Sequence, residues 1–465
     1  MTEETRQEHD TLGPVTIPGD RYWGAQTGRC LENFPVGDER MPPLFIRALG
    51  LQKQAAARAN RDLDQLDPDL AEAMDAAAAD VAQGRLNDHF PLPVWQSGSG
   101  TQSNMNANEV IANRAAELLG RPMGAKDPVH PNDHVNLGQS SNDTIPTVMH
   151  VAARLGLWES LLPAVDHMES CCLEQSEKCA DIIKLGRTHL QDAVPMTFGQ
   201  EWAAWAFQLR QARTRLARAG DDLLPIPQGG TAVGTGLSTH PAFGARVADH
   251  LHRLTGHAFR PMDNAFAGIA AHDALVALSA DLATLATIAN KIANDVRFYG
   301  SGPRAGLGEV ILPKNEPGSS IMAGKVNPTQ AESLTMVAAR VMGGHSTVAM
   351  AAAGGQFQLN AFKPLIAHTV LTSLTLLADS LTSFTDRCLA GLEPVVARME
   401  ENVHRSLMLA TPLIGEIGYD RTAEIVERAH SQGVSLREAA LALEYLDGAT
   451  FDRVVDPVVM ARGHG

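Results

Sequence analysis

The chain has 465 residues, of which 44% are hydrophobic and 20% are charged, a balance typical of a globular protein with a large buried core. Its formal net charge of −15 argues against a nucleic-acid partner, because a phosphate backbone would be repelled. Aromatic residues are only 5% of the chain and alanine is frequent, which favours closely packed helices over a β-sandwich.

The N-terminal segment and the cysteines bear on the cellular location. The first ten residues are acidic and lack an apolar core, unlike a transit peptide or a secretory signal. We find no uninterrupted apolar run of about 18 residues, so we expect no membrane span. The five cysteines form no CxxC pair, which indicates a reducing compartment. We therefore expect a cytoplasmic protein.

The predicted elements begin with a small β element at residues 12–18, and helical spacing starts at Pro43. Long helical patterns follow at residues 145–180, 197–223, 268–298, 330–352 and 364–391. A break at Pro394, Pro412 and Gly415 precedes a short helical tail. Because uninterrupted periodicity beyond about 25 residues is typical of bundles, the pattern predicts a mainly all-α fold.

Two of these patterns have clear apolar stripes with alternating steps of three and four residues. The stripes consist of Leu275, Leu278, Leu282, Leu285, Ala289, Ile292 and Val296, and of Trp202, Trp205, Leu209, Ala212, Leu216, Ala219 and Leu223. Other patterns, such as 330–352, are apolar or alanine-rich on more than one face. Such helices need burial on several sides, so we expect a homo-oligomer.

Four polar segments lie between the long helical patterns: residues 97–108, 139–144, 186–190 and 317–332. Each combines glycines with hydroxyl, amide or charged side chains, and each taken alone is more often a turn than a site. The second segment opens a long helix with Ser and Asn, which are N-cap residues, and helix N-termini bind anions.

The fourth segment superficially resembles a phosphate-binding loop, but the match fails at two positions. Five residues instead of four separate Gly318 from Gly324, and Val326 replaces the hydroxyl residue that would bind magnesium. We therefore reject nucleotide binding. Asn327 at an N-cap and Pro328 at the first helical position predict a helix start, whose positive end would lie beside Lys325. Such a local field would attract a dianion despite the net charge of −15.

Residues Gly318, Ser319, Ser320, Met322, Lys325, Asn327 and Glu332 together resemble the signature of the fumarase/aspartase superfamily. Gly324 and the segment Lys325-Val-Asn-Pro-Thr-Gln330 are similar to class II, metal-independent fumarases and unlike aspartases. The resemblance extends over nearly the whole chain and includes the segments 22–27, 100–106, 130–133, 139–143, 229–236 and 417–420.

The resemblance implies a fold of three mostly helical domains. The N-terminal domain would cover residues 1–139, the central long-helix bundle 140–395, and a small C-terminal helical domain 396–465. Central helices of four chains would form a shared bundle in a homotetramer, and each active site would collect segments from three chains. The resemblance implies a small dicarboxylate substrate, no cofactor and no metal ion.

The resemblance also implies a role for each polar segment in the hydration of fumarate to L-malate. Lys325 and Asn327 would hold the carboxylate beside the carbanion, and Ser319 on a mobile lid would match the proposed base. His189 would act on the leaving hydroxyl, and Glu332 would fix the tautomer of His189. The family has also been described with the roles of Ser319 and His189 exchanged. Substrate binding would further involve Ser99, Thr101, Ser140, Ser141, Asn142, Thr188 and Ser320.

Two clusters allow a metal interpretation, which we consider the less favoured one. The segment His130-Pro-Asn-Asp-His134 places two histidines and one aspartate close together, as in a metal cluster. In the family, however, His130, Asn132 and Asp133 match a secondary dicarboxylate site near the active-site entrance. Cys171, Cys172 and Cys179 fall in a helical stretch, where free thiols usually pack as small apolar groups.

Three departures from the family pattern concern rate and the tail domain. Ala323 stands where the family usually has proline, so we expect a more mobile loop. Ser238 replaces a usual asparagine. Pro412, Ile414 and Glu416 depart from the usual tail pattern.

Two other functions are compatible with parts of this sequence. An aspartate ammonia-lyase would share the proton abstraction, but the residues around Lys325 favour a fumarase. A structural protein, like the lens crystallins of this superfamily, would not require the intact set of Ser319, Lys325, Asn327, His189 and Glu332.

Overall fold

Long helices dominate the structure, a computed structural model that describes residues 5–463. Helix accounts for 62% of the chain and strand for 8%, so the predicted mainly α-helical fold class is confirmed. In chain order the α-helices are α1 (Ala25–Asn33), α2 (Pro43–Asp62), α3 (Pro68–Ala82), α4 (Thr101–Leu118), α5 (Ser141–Gly156), α6 (Leu162–Lys178), α7 (Phe198–Asp221), α8 (Phe243–Thr255), α9 (Ala265–Ala270), α10 (Asp273–Tyr299), α11 (Thr329–Ala353), α12 (Lys363–Phe384), α13 (Val396–Arg405), α14 (Leu413–Ile417), α15 (Tyr419–Gln432), α16 (Leu436–Ala442), α17 (Gly448–Val454) and α18 (Pro457–Arg462).

The strands form two-stranded sheets. β1 (Thr5–Asp10) pairs with β2 (Gly13–Pro18), and β3 (Ile183–Thr188) pairs with β4 (Gln191–Thr197), both antiparallel. Two shorter pairs join β5 (Pro225–Ile226) to β6 (Arg260–Pro261) in parallel and β7 (Val310–Ile311) to β8 (Glu393–Pro394) antiparallel. The predicted β element near the N-terminus is thus confirmed as β2, whereas the hairpin β3–β4 was not predicted.

The two apolar stripes lie where helical periodicity places them. All seven stripe residues of α10 are buried, and so are the seven from Trp202 to Leu223 in and just after α7. The segment 145–180 differs from the prediction of one regular helix. It is divided into α5 and α6 by a π-helical turn, Leu157–Leu161.

The chain divides into two compact units. The first unit comprises Met1–Pro163, Ala212–Thr287 and Val337–Asp379. Part of its core is formed by the alanine-rich helices α2, α3 and α4, which pack around residues such as Val81, Val110 and Ile111. Helix α3 begins where Asp67 caps the backbone N–H groups of Asp69 and Leu70, with a proline at its first position.

The second unit comprises Ala164–Gln211, Ile288–Met336 and Ser380–Gly465. Its apolar cluster includes Leu185 of β3 together with Val403, Leu413, Ile425 and Phe451 from the tail helices. A short helical tail after the break is therefore confirmed. The three predicted domain boundaries remain a prediction.

Two helical stretches, Asp273–Tyr299 and Lys363–Leu389, are long and apolar enough to cross a membrane by length and composition alone. In their most apolar windows, 44% and 56% of the residues are buried within the protein. Buried core helices of soluble proteins pass the same test, so these two stretches are weak evidence for a membrane span.

Candidate functional site

The start of α5 carries three of the predicted substrate-binding residues. Ser140 caps the helix, and its Oγ accepts a hydrogen bond from the N–H of Asn142 at 3.2 Å. The backbone N–H of Ser140 in turn donates to Oδ1 of Asp143 at 2.9 Å, which completes a capping box. The predicted helix start is confirmed, and its N–H groups form an end with partial positive charge.

A glycine-rich loop is fastened to this helix start by the fully buried Asp143. Its Oδ2 accepts hydrogen bonds from the N–H groups of Gly229 and Thr231, each at 2.9 Å. Asn142 donates from Nδ2 to the carbonyl of Ala232 at 2.8 Å. Because both side chains bind loop backbone, the loop 229–236 and the first turn of α5 form one rigid feature.

The start of α4 joins the same region of the first unit. Gly100 adopts a left-handed conformation with φ of 76°, and Thr101 begins the helix. The hydroxyls of Ser99 and Thr101 lie 2.9 Å apart. One turn further, Asn104 donates from Nδ2 to Oγ of Ser141 at 3.0 Å. The structure therefore brings two helix N-termini and their hydroxyl side chains together, as the prediction of a shared binding region requires.

Behind the start of α5 lies a lysine that the sequence reasoning missed. Lys53 of α2 is 2% exposed, and its Nζ donates to Oε1 of Gln139 at 2.9 Å and to Oδ1 of Asn136 at 3.4 Å. Burial lowers the pKa of Lys53 to about 7, although the charge of Asp143 opposes the shift. Burial raises the pKa of Asp143 to about 6, against the N–H donors that favour its ionised form. The first unit thus contains a buried lysine beneath the N-terminal end of α5.

An open cavity of about 580 Å³ lies on this surface. It is lined by residues of the turn before α5 and of the glycine-rich loop, including Asn132, Asp133, Ser140, Thr231 and Ser238. Ser238 has φ of 64°, a conformation that asparagine tolerates better than serine. The departure at Ser238 therefore places a less suitable residue at a turn in the cavity wall.

Of the predicted secondary-site residues, Asn132 and Asp133 lie in a π-helical turn, Pro131–Val135, and His130 caps its start. Nδ1 of His130 accepts hydrogen bonds from the N–H groups of Asn132 at 3.2 Å and Asp133 at 3.1 Å, and Nδ1 of His134 accepts one from the N–H of His130. Burial lowers the pKa of His130. Because Nδ1 accepts these hydrogen bonds, the neutral form of His130 carries its proton on Nε2. In residues 5–463 no group of three or more His, Cys, Asp or Glu side chains is arranged to hold a metal ion.

In the second unit, His189 stands at the tip of the hairpin β3–β4. Thr188 pairs with Gln191, so His189 and Leu190 alone form the turn, with φ of 57° and 60°. This pattern is that of a type I′ turn, which normally contains Asn and Gly. Non-glycine residues in such conformations cost about 1–3 kcal/mol each and persist only where surrounding structure holds them. The exposed His189 is therefore held in a strained position.

The polar segment before α11 forms an exposed loop that carries Ser319. Oγ of Ser319 accepts hydrogen bonds from the N–H groups of Ile321 at 3.3 Å and Met322 at 3.0 Å. The loop is closed at its base, where Nδ2 of Asn327 donates to the carbonyl of Gly318. A side chain at Gly318 would meet the carbonyl of Lys325 at 2.0 Å, so this close approach requires glycine.

Helix α11 starts one residue later than predicted. Its first residue is Thr329, and the carbonyl of Pro328 accepts the first helical hydrogen bond, from Glu332 at 3.0 Å. Asn327 does not cap the helix, because its side chain is engaged within the loop. Lys325 is exposed and lies four residues before the helix, as the prediction of a cation near this helix end requires.

The predicted residues thus fall into two sets. The first unit holds Ser99, Thr101, Ser140, Ser141 and Asn142, with His130, Asn132 and Asp133. The second unit holds Thr188, His189, Ser319, Ser320, Lys325, Asn327 and Glu332. Within the described chain, 5–463, no hydrogen bond joins His189 to Glu332, so the pairing of these two residues stays a prediction.

Comparisons with known proteins relate both units to one family. Residues 13–343 match the model of the lyase family, and residues 409–462 match the fumarase C C-terminus model. The chain is 54% identical over 455 residues to the class II fumarate hydratase of Thermosynechococcus vestitus, covering 98% of this chain and 97% of that protein. The chain belongs to the class II fumarate hydratase family.

Further relatives in the class II fumarate hydratase family support this assignment. The enzyme of Thermus thermophilus is 52% identical over 463 residues, covering 99% of both chains. The crystal structure of class II fumarase from Schistosoma mansoni matches with a TM-score of 0.97 and 42% identity, over 99% of this chain and 100% of that one. The predicted family and the hydro-lyase class are therefore confirmed.

Sequence reasoning missed the residues that hold the class II fumarate hydratase motifs in place. Lys53 had a signal, since it interrupts an alanine-rich helix with a charge, but its partners Asn136 and Gln139 are more than 80 residues away. Glu309, which binds Arg187, lies in a segment without any recognised motif. The departures at Pro412, Ile414 and Glu416 fall inside the region that matches the fumarase C C-terminus model.

Proposed function

We propose that this chain interconverts fumarate and L-malate by anti addition and elimination of water through a carboxylate-stabilised carbanion. The observation that best supports this reaction is the sequence identity of 54% with a class II fumarate hydratase over nearly the full chain. In the elimination direction, a base removes a proton from the carbon beside one malate carboxylate. Hydroxide then leaves the neighbouring carbon, so charge must be stabilised on the carboxylate between the two steps.

The carbanion would be stabilised by the cation Lys325 and the amide of Asn327. The N-terminal ends of α4 and α5, with the hydroxyls of Thr101 and Ser141, would bind the substrate carboxylates in the same manner. The buried Lys53 behind α5 supports this proposal, since its ammonium form, which is lost as the pH rises through its pKa of about 7, adds positive potential at the helix end.

Ser319 and His189 would transfer the protons. Two backbone N–H groups point at Oγ of Ser319 and favour its ionised form, which supports Ser319 as the base. His189 would then act on the leaving hydroxyl, with Glu332 supporting its cationic form. The exchanged assignment, with His189 as base, uses the same two side chains. Ser320 and Thr188 would contact substrate beside them, and Ser99 would support Thr101.

We also propose a cytoplasmic homotetramer that serves the tricarboxylic acid cycle, with three domains at 1–139, 140–395 and 396–465. Exposed apolar side chains on α11, Met336 and Met350, support burial of this helix against other chains. His130, Asn132 and Asp133 would form a secondary dicarboxylate site.

One assay tests the reaction and separates the alternatives. Purified protein receives L-malate or L-aspartate separately, and the ultraviolet absorbance of the alkene product is followed. We expect absorbance to rise with malate only. A rise with aspartate only would identify an ammonia-lyase, and no rise with either would favour a structural protein.

A mixing experiment tests the sharing of sites between chains. Ser319→Ala and His189→Asn proteins are each purified, dissociated together and reassembled. If one site takes these residues from different chains, the mixed oligomer regains activity that neither variant has. Failure to regain activity in an oligomer shown to be mixed would place both residues of a site on one chain.

A further inference from the structure

We propose that Glu309 is a positioning residue for His189 and acts on it through Arg187. Asn402 links Glu309 to the tail helix α13. This inference rests on the proposed function, because it assigns Glu309 a role in the proton transfer attributed to His189. Glu309, Arg187 and Asn402 all lie in the second unit.

The need for support arises at the hairpin tip. His189 and Leu190 occupy left-handed conformations that neither residue favours, and both side chains are exposed. A tip of this kind does not hold its own shape, so contacts just behind it must do so. Arg187 is two residues before His189, and the register of β3 and β4 is irregular between Leu185 and Arg187.

A pair of parallel hydrogen bonds fixes Arg187. Its NH1 and NH2 groups donate to the two carboxylate oxygens of Glu309 at 2.9 and 2.6 Å. Burial opposes the charge of Arg187, but the bonds to Glu309 outweigh it and raise the pKa of Arg187. This two-point contact restricts the direction of the arginine as well as its distance.

Glu309 itself cannot shift easily, because it is buried and both its backbone and its side chain are hydrogen-bonded. Its side chain is 0% exposed. Its backbone N–H donates to the carbonyl of Tyr299 at 2.9 Å, and its carbonyl accepts from the N–H of Val395 at 2.8 Å. Asn402 of α13 donates to Oε1 at 2.7 Å. The carboxylate is therefore a fixed point between the hairpin and the tail.

The decisive variant is Glu309→Gln, which keeps the shape of the side chain and removes its charge. We expect kcat to fall about 10- to 100-fold, the scale of a misplaced catalytic group, while KM changes less than about 3-fold. The matched control is Asp452→Asn, which alters another two-point arginine–carboxylate pair, with Arg437, on the surface of the same unit. The control should leave both constants unchanged.

A double variant distinguishes positioning from a general structural role. If Glu309 acts through His189, adding Glu309→Gln to His189→Asn should cost less than about 2-fold more activity. The proposal would be overturned if the activity losses of the two substitutions multiplied in the double variant. A normal kcat in folded Glu309→Gln would also overturn it. Arg187→Lys, which keeps the charge but not the two-point contact, and Asn402→Ala, which leaves the ion pair intact, should lower kcat in the same direction. If Glu309→Gln does not fold, Arg187→Lys and Asn402→Ala test the proposal instead. A normal kcat in both of these variants overturns the proposal.

The activity of the unaltered protein on malate distinguishes a failure of the proposed function from a failure of the proposed role of Glu309. An unaltered protein that does not act on malate refutes the proposed function. An unaltered protein that does, combined with a Glu309→Gln variant of normal kcat, refutes only the role of Glu309.

Discussion

Nζ of Lys53 donates a hydrogen bond to Oε1 of Gln139 across 2.9 Å, within the interior of the first unit. Gln139 directly precedes Ser140, which caps α5, so the lysine supports the helix end that is proposed to bind a carboxylate. Burial lowers the pKa of Lys53 to about 7, which is far below its value in an unfolded chain. The charge of Lys53 therefore couples the stability of the protein to pH.

The first prediction concerns Lys53→Met, a neutral side chain of similar length. Between pH 7 and about 10.4 the unfolded chain keeps a proton on Lys53 that the folded chain releases. Stability contributed by this group therefore rises with pH in that window, by at most about 1.4 kcal/mol per pH unit. We expect thermal denaturation to show a steeper rise of Tm from pH 7 to 9.5 in the unaltered protein than in Lys53→Met. The exposed Lys178→Met is the control, and equal slopes in all three proteins would contradict the prediction.

The second prediction compares two capping boxes. Asp143→Asn replaces one acceptor oxygen of a fully buried carboxylate by an NH₂ group, which then faces N–H donors of Ser140 or of the loop 229–236. An unmatched buried donor costs about 1–3 kcal/mol, so we expect that loss in the free energy of unfolding. Glu438→Gln alters the exposed capping box of α16 and should cost less than about 1 kcal/mol. Equal losses in urea denaturation would show that burial of Asp143 has no influence.

Short-range patterns predicted much of this fold because they depend on neighbours in sequence. The apolar stripe that includes Leu278 and Leu285 indicates the buried face of one helix. Ser140 caps its helix in a capping box with a residue only three positions later. The start of α11 was misplaced by one residue because Asn327 binds Gly318, nine residues earlier. Tertiary contacts of this kind override local capping preference.

The contacts that hold the candidate-site residues in position could not be predicted either, because they join residues that are far apart in the sequence. Arg187 and Glu309 are 122 residues apart, and no periodicity or spacing connects them. The strained turn at His189 was also hidden, since neither His nor Leu is typical of a type I′ turn. Motifs identify the groups that carry chemistry, whereas the contacts that fix their positions come from the folded chain.

The third prediction tests the proton-transfer residues. Ser319→Ala or His189→Asn should each lower kcat by at least about 100-fold, the usual scale for loss of a proton-transfer group. The exposed Ser333→Ala and His404→Asn are matched controls in the same unit and should retain full activity. Steady-state kinetics with malate measures all four. Full activity in Ser319→Ala or in His189→Asn removes that residue from the mechanism.

The fourth prediction concerns Lys325→Arg, which keeps the charge. A planar guanidinium cannot replace a compact ammonium that is proposed to contact one carboxylate, so we expect a loss in kcat/KM of more than about 10-fold. Lys314→Arg, in the exposed segment before the loop, should have no effect. If Lys325→Arg shows near-normal kinetics, the lysine does not hold the carboxylate.

The fifth prediction concerns Ala323 in the exposed loop between Ser319 and Lys325. Within residues 5–463 the N–H of Ala323 makes no hydrogen bond, so Ala323→Pro removes none and restricts the open loop by about 0.4–1 kcal/mol of chain entropy. We expect slower proteolytic cleavage within 317–328 and an altered kcat, because the same loop is predicted to close over the substrate. Ala323→Ser, which leaves the backbone free, should behave like the unaltered protein. If Ala323→Pro changes neither cleavage nor turnover, the alanine does not make this loop more mobile, and closing of the loop does not limit the rate.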